Sequence, residues 1–292
     1  MKFVIFNYSS ATVMQPIYLK QEIEKIEGCS CTIVNDVKDV YYAYDRLKPD
    51  YCIVNAIMDL SYLLHYNQNT TKKVNHIVNM EYFKNEHLDG FKEFLKEQTD
   101  LNCVLLFGPN WSYSKFDFGI PYIQVPNCAN AAIPLSKKIF EIDRAVIVKD
   151  KSEIKNYDGT NHFIAIANEN RGVDSSINSL SAARIFCNYK EIVFRNMSKD
   201  LIPESFFNAI HFSESPVYFD NDDSKESQDV QNVLEKMLGV KTSFDYNNRG
   251  VYDTEALRLV VTKKHTPHNR LKHILSNIKE THVLVERMNK NA

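Results

Sequence analysis

The stretch Lys2-Phe3-Val4-Ile5-Phe6-Asn7 is a short, mostly apolar run that passes directly into the polar residues Tyr8-Ser9-Ser10. A continuous apolar run of this length, closed by polar residues, is typical of a buried strand. Comparable runs recur in the first half of the chain, at residues 31–35, 51–56, 76–80, 103–107 and 121–125. Segments with helical spacing separate several of them, at 16–26, 40–47 and 83–96, and Gly28 suits the end of the first. Strands that alternate with helices predict a parallel sheet covered on both faces.

The pattern weakens over residues 128–159 and then resumes. Strands are predicted at 163–167, 191–194 and 217–219, and helices at 174–186, 204–211, 230–238, 253–261 and 269–278. The prediction is an α/β protein with two Rossmann-like domains that face a central cleft. The first domain would cover residues 1–130 and the second residues 131–292. Ligands of such sheets bind at the carboxyl ends of the strands.

Composition and charge exclude several classes of protein. The chain has 292 residues, 35 Lys and Arg against 37 Asp and Glu, and 44% hydrophobic residues. Such a composition is ordinary for a protein that buries a core, and no apolar run approaches the ~18–20 residues that span a bilayer. The net charge of -2 argues against a uniformly phosphate-binding surface, so any contact with double-stranded DNA would need a local basic patch. The N-terminus turns polar too early for a signal peptide, and the expected location is the cytoplasm.

The six cysteines predict neither disulfides nor a metal centre. Only Cys29 and Cys31 are close in sequence, and their C-x-C spacing matches neither a zinc ribbon nor a thioredoxin motif. We expect all six to be reduced and structural, as in a reducing compartment. The common signatures of dinucleotide sites, P-loops, α/β-hydrolases and zinc proteases are also missing.

One segment of the second half has the pattern of an anion site. The apolar run 163–167 is followed by a polar turn that contains Arg171, and a helix is predicted from Asp174 and Ser175. Free amides at a helix start and a guanidinium fork both suit a diphosphate. The alternative is an ordinary strand-to-helix loop with a solvated arginine.

Further along, residues 203–220 resemble the nucleotide-binding half of GT-B glycosyltransferases. A helix, a tight turn, then Pro216-Val217 and a strand follow each other in the same order. In that family an acidic residue of the helix holds the ribose hydroxyls. Glu204 or Glu214 could serve here, because the usual glutamate position falls near Asn208 and the usual turn glycine is replaced.

The end of the chain resembles the same family. His265-Thr266, Arg270 and Ile274-Leu275 are similar to the closing motif of some bacterial GT-B chains. This resemblance makes Lys263 and His265 candidate contacts of the donor diphosphate. The alternative for the histidines is a solvated or capping role, and a metal site is not expected from their spacing.

The first half resembles the phage enzymes that glucosylate hydroxymethylcytosine in DNA, through its opening Ser9-Ser10 and its order of strands. In those inverting enzymes a carboxylate just after the fourth strand is the base, and the corresponding residue here is Glu81. Arg171 would match an arginine that holds the diphosphate. Candidate acceptor contacts are Ser9, Ser10, Tyr82 and Trp111, although buried packing is the alternative for the two aromatic residues.

The resemblance implies a hexosyl- or pentosyltransferase that moves a sugar from a nucleotide-diphosphate donor, such as a UDP-sugar, to a hydroxyl. The acceptor would be a hydroxymethylated base in phage DNA, reached in the host cytoplasm, or else a cell-surface glycan or a small molecule. No cofactor is required besides the donor, although a divalent metal could assist product release. A different hypothesis is a non-catalytic α/β module that binds a nucleotide or a protein.

Overall fold

The computed structural model describes most of the chain. The described residues are 1–7, 14–55, 74–80, 88–97, 102–107, 119–125, 128–129, 133, 135–148, 161–165, 184–197, 202, 204–239, 241, 243–244, 249–251, 254–278 and 280–290. Within them the strands are β1 Lys2–Asn7, β2 Ser30–Val34, β3 Tyr51–Asn55, β4 Asn75–Asn79, β5 Cys103–Phe107, β6 Tyr122–Gln124, β7 Ile142–Val148, β8 Asn161–Ala165, β9 Tyr189–Arg195, β10 Val217–Asp220, β11 Ser243–Phe244 and β12 Arg249–Val251.

The helices of the described residues are α1 Met14–Glu24, α2 Val40–Tyr42, α3 Leu88–Glu97, α4 Glu204–Phe212, α5 Ser224–Leu238, α6 Thr254–Lys264, α7 Pro267–Ser276 and α8 His282–Lys290. The short α2 continues into a π-helical turn, Ala43–Leu47. Most of these elements lie where the sequence predicts them, to within a few residues at their ends. Residues 174–183, where the sequence predicts most of another helix, lie outside the described residues.

The strands form two sheets of six. The first has the order β2-β1-β3-β4-β5-β6 and is parallel throughout. The second has the order β11-β12-β10-β9-β7-β8, with β10, β9, β7 and β8 parallel and the short β11 and β12 antiparallel at one edge. The predicted fold class, α/β with two Rossmann-like units, is confirmed.

Both faces of the first sheet are buried, and one layer of the core of this unit lies on the face that carries Ile5. Ile5, Ile53 and Ile77 lie side by side on neighbouring strands, and each is at most 2% exposed. Helix α1 contributes Leu19 and Ile23 to this core. The C-terminal helices α7 and α8 contribute Leu271, Ile274, Leu275, Leu284 and Met288.

Contacts divide the chain into two compact units. Unit 1 comprises Met1–Phe107, Ser112–Val125 and Leu271–Ala292, and unit 2 comprises Gly108–Trp111 and Pro126–Arg270. The change near Val125 lies close to the boundary proposed at residue 130. The C-terminal segment differs from the sequence division, because its apolar side chains join the core of unit 1.

Strand β7 is an element that the sequence analysis did not predict, because it lies in the segment 128–159 where the strand–helix pattern weakens. Its outer half, Ile142-Asp143-Arg144, is charged and partly exposed, whereas Ala145–Val148 is buried. The two charged side chains of this half form ion pairs with β9 at the surface. Nζ of Lys190 lies 2.6 Å from Oδ1 of Asp143, and Arg144 pairs with Glu191. Charged residues at one end of β7 therefore made this interior strand of the second sheet difficult to recognise from the sequence.

Helix α8 is a second element that the sequence analysis omitted. It begins after Thr281 and buries Leu284 and Met288, which are four residues apart on one face. Arg287 on the same helix donates to the carbonyl of Glu27 at 2.6 Å. That carbonyl precedes Gly28, which has φ 75 and lies in the turn before β2; α1 itself ends earlier, at Glu24, so Gly28 does not cap it directly as the sequence predicted.

No helix in the described part of the chain is long and apolar enough to cross a membrane. All six cysteines are free in the structure. Burial raises the pKa of the Cys31 and Cys103 thiols to about 12, so these two groups are protonated at neutral pH and lack the thiolate needed for nucleophilic chemistry.

Candidate functional site: the carboxyl edges of the two sheets

The strand order of unit 1 sets the place of its ligand site. In the order β2-β1-β3-β4 the chain moves outward in opposite directions from β1 and β3, which makes the β1/β3 boundary a topological switch point. Ligands of open α/β sheets bind outside the carboxyl ends of the strands at such points. The last residues of β1 and β3 are Asn7 and Asn55.

Three asparagines form a row at this edge. The strand register pairs Asn7 with Asn55 and Asn55 with Asn79, so they occupy one lateral row across β1, β3 and β4. The row lies two residues beyond Ile5, Ile53 and Ile77 and therefore on the same face of the sheet. Asn7 and Asn79 are 5% and 3% exposed. At the carboxyl edge of the sheet, the apolar layer is thus followed by the buried amides of Asn7 and Asn79.

A histidine–tyrosine pair lies behind β4 on the opposite face of the sheet. The Tyr44 hydroxyl is 2.8 Å from Nε2 of His76, and both side chains are buried. Burial lowers the pKa of His76 to about 4, and the carbonyls of Val74 and Asn102 act in the opposite direction. The ring is therefore neutral at physiological pH and serves the packing of this face.

Unit 2 has its own switch point between β7 and β9. Here the strand end carries charge. Arg195, the last residue of β9, places Nη2 3.2 Å from Oδ1 of Asp222, which follows β10. Asn196, at φ 51, donates to Asp222 and accepts from the Asp222 amide at 3.1 Å. The side chain of Asn221 donates to the carbonyl of Met197.

These contacts fasten together the turns that follow β9 and β10. The hydrogen bond from Asn196, followed by the charge of Arg195 and against the effect of burial, lowers the pKa of Asp222. The Arg195 side chain is 40% exposed. Its guanidinium is therefore positioned by Asp222 and still accessible to solvent. A guanidinium that is positioned on one side and open on the other can form a two-pronged contact with an anion.

The start of α5 is next to this cluster but is already capped. Asp223 accepts hydrogen bonds from the amides of Lys225 and Glu226. These amides are the ones that a helix start would otherwise offer to a phosphate. Arg195 is therefore a cationic group that the described residues place at this strand edge, and two amides of the helix start are satisfied from within the chain.

Most of the site residues predicted from the sequence lie outside the described residues. These are Glu81, Arg171, Asp174, Ser175, Ser9, Ser10, Tyr82 and Trp111. Glu204 is described in its backbone only, as the first residue of α4. Because α4 follows β9 in the chain, its start is on the carboxyl side of the sheet.

The two other candidates for the ribose contact, Asn208 and Glu214, occupy different environments. Asn208 is 0% exposed in the middle of α4 and lies among core residues. Glu214 lies in the exposed turn before β10, on the amino side of the sheet. There Ser215 donates to the carbonyl of Tyr189, the first residue of β9, at 2.6 Å. The topology of unit 2 consequently places Glu204 on the carboxyl edge of the sheet and Glu214 on the amino edge.

The basic segment 263–272 is divided between surface and interior. Lys263 and Lys264 are exposed at the end of α6. His265 is 7% exposed, packs against Phe207 with ring centroids 5.5 Å apart, and has a pKa lowered to about 4, chiefly by burial. Its carbonyl accepts from the amide of Ala129 at 3.0 Å. These contacts show a structural role for His265, whereas Lys263 is open to solvent.

Sequence reasoning missed Arg195, Asn196 and Asp222 as possible site residues. A usable signal was present, because Arg195-Asn196 directly follows the apolar run Ile192–Phe194, as a strand-end site should. The pairing with Asp222 depends on the adjacency of β9 and β10, which the sequence does not show. Among the described residues, no group of three His, Cys, Asp or Glu side chains could hold a metal ion.

Comparison with known proteins gives similarity in fold only. No protein-family model matches the chain, and neither does any curated protein sequence. A solved structure described as the glycotransferase of kitacinnamycin has a TM-score of 0.38 and 10% identity, over 99% of this chain and 96% of that one. The spinosyn forosaminyltransferase SpnP has a TM-score of 0.40 and 8% identity, over 100% of this chain and 95% of its own.

Proposed function

We propose that this protein is a glycosyltransferase that moves a sugar from a nucleotide-diphosphate donor to a hydroxyl acceptor. The observation that carries the proposal is the Arg195 guanidinium at the carboxyl end of β9, held by Asp222 and 40% exposed beside the switch point of unit 2. A diphosphate leaving group gains negative charge as the glycosidic bond breaks. A fixed guanidinium at the expected nucleotide edge can stabilise that charge.

Glu204 is the proposed ribose contact. It begins α4 on the carboxyl side of the second sheet, and the GT-B resemblance requires an acidic residue in this helix. A carboxylate accepts hydrogen bonds from two neighbouring hydroxyls, which matches a ribose. Arg171, Asp174, Ser175 and Lys263 remain proposed diphosphate contacts from the sequence.

Glu81 is the proposed base. It comes two residues after Asn79, the last residue of β4. In an inverting transfer its carboxylate takes the proton of the acceptor hydroxyl, while the hydroxyl oxygen forms a bond to the anomeric carbon and the bond to the diphosphate breaks. The proton ends on Glu81 and the electron pair of the broken bond on the diphosphate oxygen.

The resemblance to the phage enzymes suggests a more specific donor and acceptor. The donor would be a UDP-sugar, and the acceptor would be a hydroxymethylated base in phage DNA, in the host cytoplasm. Three of the described cations are paired with carboxylates: Lys138 with Glu141, Lys190 with Glu141 and Asp143, and Arg144 with Glu191. The charge of these three is neutralised locally, so they add little attraction for a DNA backbone. A glycan and a small molecule are therefore tested as acceptors beside DNA.

Thermal shifts with UDP-, GDP- and CDP-sugars test the donor site. A donor present at 100 times its Kd should stabilise the folded protein by about 2.7 kcal/mol. The donor that gives the largest shift is then incubated with the protein and one of three acceptors: hydroxymethylcytosine DNA, unmodified DNA or a neutral glycoside. Mass spectrometry detects the mass that a transferred sugar adds to the acceptor. No shift with any donor contradicts the proposal. Shifts without sugar transfer to any acceptor would indicate the non-catalytic nucleotide-binding module instead.

Glu81→Gln tests the base. Sugar transfer should fall at least about 100-fold, the usual contribution of general base catalysis, while the donor-induced thermal shift stays as in the wild type. Glu97→Gln, at the exposed end of α3, is the matched control and should leave both unchanged. Full activity of Glu81→Gln would show that another group accepts the proton.

A further inference from the structure

Two large apolar side chains are exposed at the amino edge of the second sheet, away from the strand end that carries Arg195. Ile139 and Phe140 precede β7 and are 82% and 55% exposed, and Leu135, slightly earlier in the chain, is 54% exposed. Single exposed apolar residues are common, but neighbouring ones rimmed by charged residues mark interaction sites. The β7 entry segment, residues 135–143, therefore has the character of an interaction surface.

The backbone of this segment is held in a fixed conformation by a buried amide. Oδ1 of Asn188 accepts hydrogen bonds from the backbone amides of Ile139 and Phe140, at 2.9 and 3.3 Å. Nδ2 of Asn188 donates to the carbonyl of Arg184 at 2.8 Å and to that of Ile185 at 3.4 Å. A surface that is ordered in the free protein loses less conformational entropy when a partner binds.

The charges on the two sides of the apolar pair have opposite signs. Lys137 and Lys138 precede the pair, whereas Glu141 and Asp143 follow it. About a two-fold axis perpendicular to the chain, a segment meets its own copy in reverse, so the basic end of each copy faces the acidic end of the other. Lys137 and Asp143 are equally far from Phe140 in sequence, which pairs them across such an axis. An anionic surface is a poorer partner, because the segment presents both signs.

Ion pairs within the chain are compatible with this arrangement. Lys138 pairs with Glu141, and Lys190 pairs with Glu141 and Asp143. All four side chains are at least 44% exposed, and exposed pairs of this kind hold their partners weakly. The Asp143 side chain is 74% exposed, so a second cation can approach it. Lys137 is exposed and has no ion pair within the described part of the chain.

We propose that the β7 entry segment joins two copies of this chain in a symmetric dimer. Leu135, Ile139 and Phe140 form the apolar centre of the contact, and Lys137 of each copy pairs with Asp143 of the other at its rim. A standard interface buries about 800 Å² on each partner, with this arrangement of centre and rim. Because the contact lies at the amino edge of the second sheet, it leaves the carboxyl edge free and does not depend on the proposed sugar transfer.

Sedimentation equilibrium of the full chain, between about 1 and 100 µM, tests the dimer. We expect the wild type to reach twice the mass of one chain within this range. Ile139→Asp places a charge in the apolar centre and should weaken the dimer at least about tenfold. The substituted side chain is exposed in the single chain, so folding should not be affected. Leu259→Asp, at a 55% exposed position on α6, is the matched control and should dimerise like the wild type.

A charge reversal tests the antiparallel arrangement. An acidic variant carries Lys137→Glu and Lys138→Glu, and a basic variant carries Glu141→Lys and Asp143→Lys. Each variant alone should be monomeric, because like charges then face each other, whereas an equimolar mixture should form a heterodimer. Mixing would not repair a defect in folding, so recovery of the dimer identifies a direct contact between the copies.

A wild type that stays monomeric throughout the range overturns the inference, and so does a dimer that Ile139→Asp leaves intact. A mixture of the acidic and basic variants that stays monomeric contradicts the symmetric arrangement. Binding of monomeric wild type to vesicles of phosphatidylserine and phosphatidylcholine, lost in Ile139→Asp, would assign the segment to a membrane surface instead. The donor-induced thermal shift of Ile139→Asp should equal that of the wild type, so failure of the dimer leaves the proposed function untouched.

Discussion

At the scale of single residues, Arg195 is where the structure most changes the view of function. Its ion pair with Asp222 is exposed, and exposed pairs contribute about 0–1 kcal/mol to stability, so Arg195→Ala should fold normally. Hydrogen bonds to a charged group contribute about 1.5–3 kcal/mol. We therefore expect Arg195→Ala to weaken donor binding about tenfold or more, measured by titration calorimetry or thermal shift.

The control for this change is Arg184→Ala. Arg184 is an exposed arginine of the same unit, and it precedes β9 on the amino side of the sheet. Removing it should leave donor affinity unchanged. Equal effects of the two substitutions would mean that Arg195 acts only through overall charge.

His76 gives a prediction about pH. Its folded-state pKa is about 4, against 6.5 for the ordinary group, so between these values the unfolded chain binds a proton that the folded chain excludes. The stability associated with the neutral ring is fully present above pH 6.5 and falls as the pH drops towards 4. One such histidine contributes a slope of up to about 1.4 kcal/mol per pH unit.

Urea unfolding at several pH values measures this slope. His76→Gln should reduce it, without abolishing it, because His265 has a pKa that is also lowered to about 4. A slope in His76→Gln equal to that of the wild type would show that the pKa of His76 is the same in the folded and the unfolded chain.

At the scale of elements, α5 shows how local sequence defines a helix of unit 2. Asp223 caps its start with hydrogen bonds to two amides, and Gly239, at φ 67, closes its end. Asp223→Ala should reduce the free energy of unfolding by about 1 kcal/mol, measured as the urea midpoint. Gln228→Ala, at an exposed position in the same helix, should change it by less than about 0.5 kcal/mol. Equal values for the two variants would contradict the capping role.

The missed strand β7 makes a related point about elements. Its exposed end carries Asp143 and Arg144, which in sequence look like part of a polar loop. Only the neighbouring β9 supplies Lys190 and Glu191 as partners for those charges. Cross-strand pairs of this kind depend on contacts between residues distant in sequence, so local patterns do not reveal them.

At the scale of the whole molecule, the chain's last helix completes the core of unit 1. Leu284 of α8 is 0% exposed among residues of β1, β3 and α1. Leu284→Ala should lower the free energy of unfolding by about 2–5 kcal/mol, because it leaves a cavity in a packed interior. Val283→Ala, at a residue 37% exposed on the same helix, should have a much smaller effect. A small loss for Leu284→Ala would mean that α8 is dispensable for unit 1.

The sequence by itself determined the fold class and most strands, because buried parallel strands appear as uninterrupted apolar runs closed by polar residues. β1 and β5, for example, begin and end at the predicted residues, Lys2–Asn7 and Cys103–Phe107. The run of polar residues after each strand also indicated where a ligand edge would lie. These features are local, and local patterns fix them.

Only the tertiary structure showed which residues that are distant in sequence are neighbours in the folded protein. The alignment of Asn7, Asn55 and Asn79 depends on strand register, the Arg195–Asp222 pair on the adjacency of β9 and β10, and the burial of His265 on packing against Phe207. The entry of α8 into the core of unit 1 likewise joins residues that are far apart in the chain. Each of these contacts is non-local and depends on the order of strands in a sheet or on the packing of a core. The spacing of residues along the sequence does not reveal strand order or core packing.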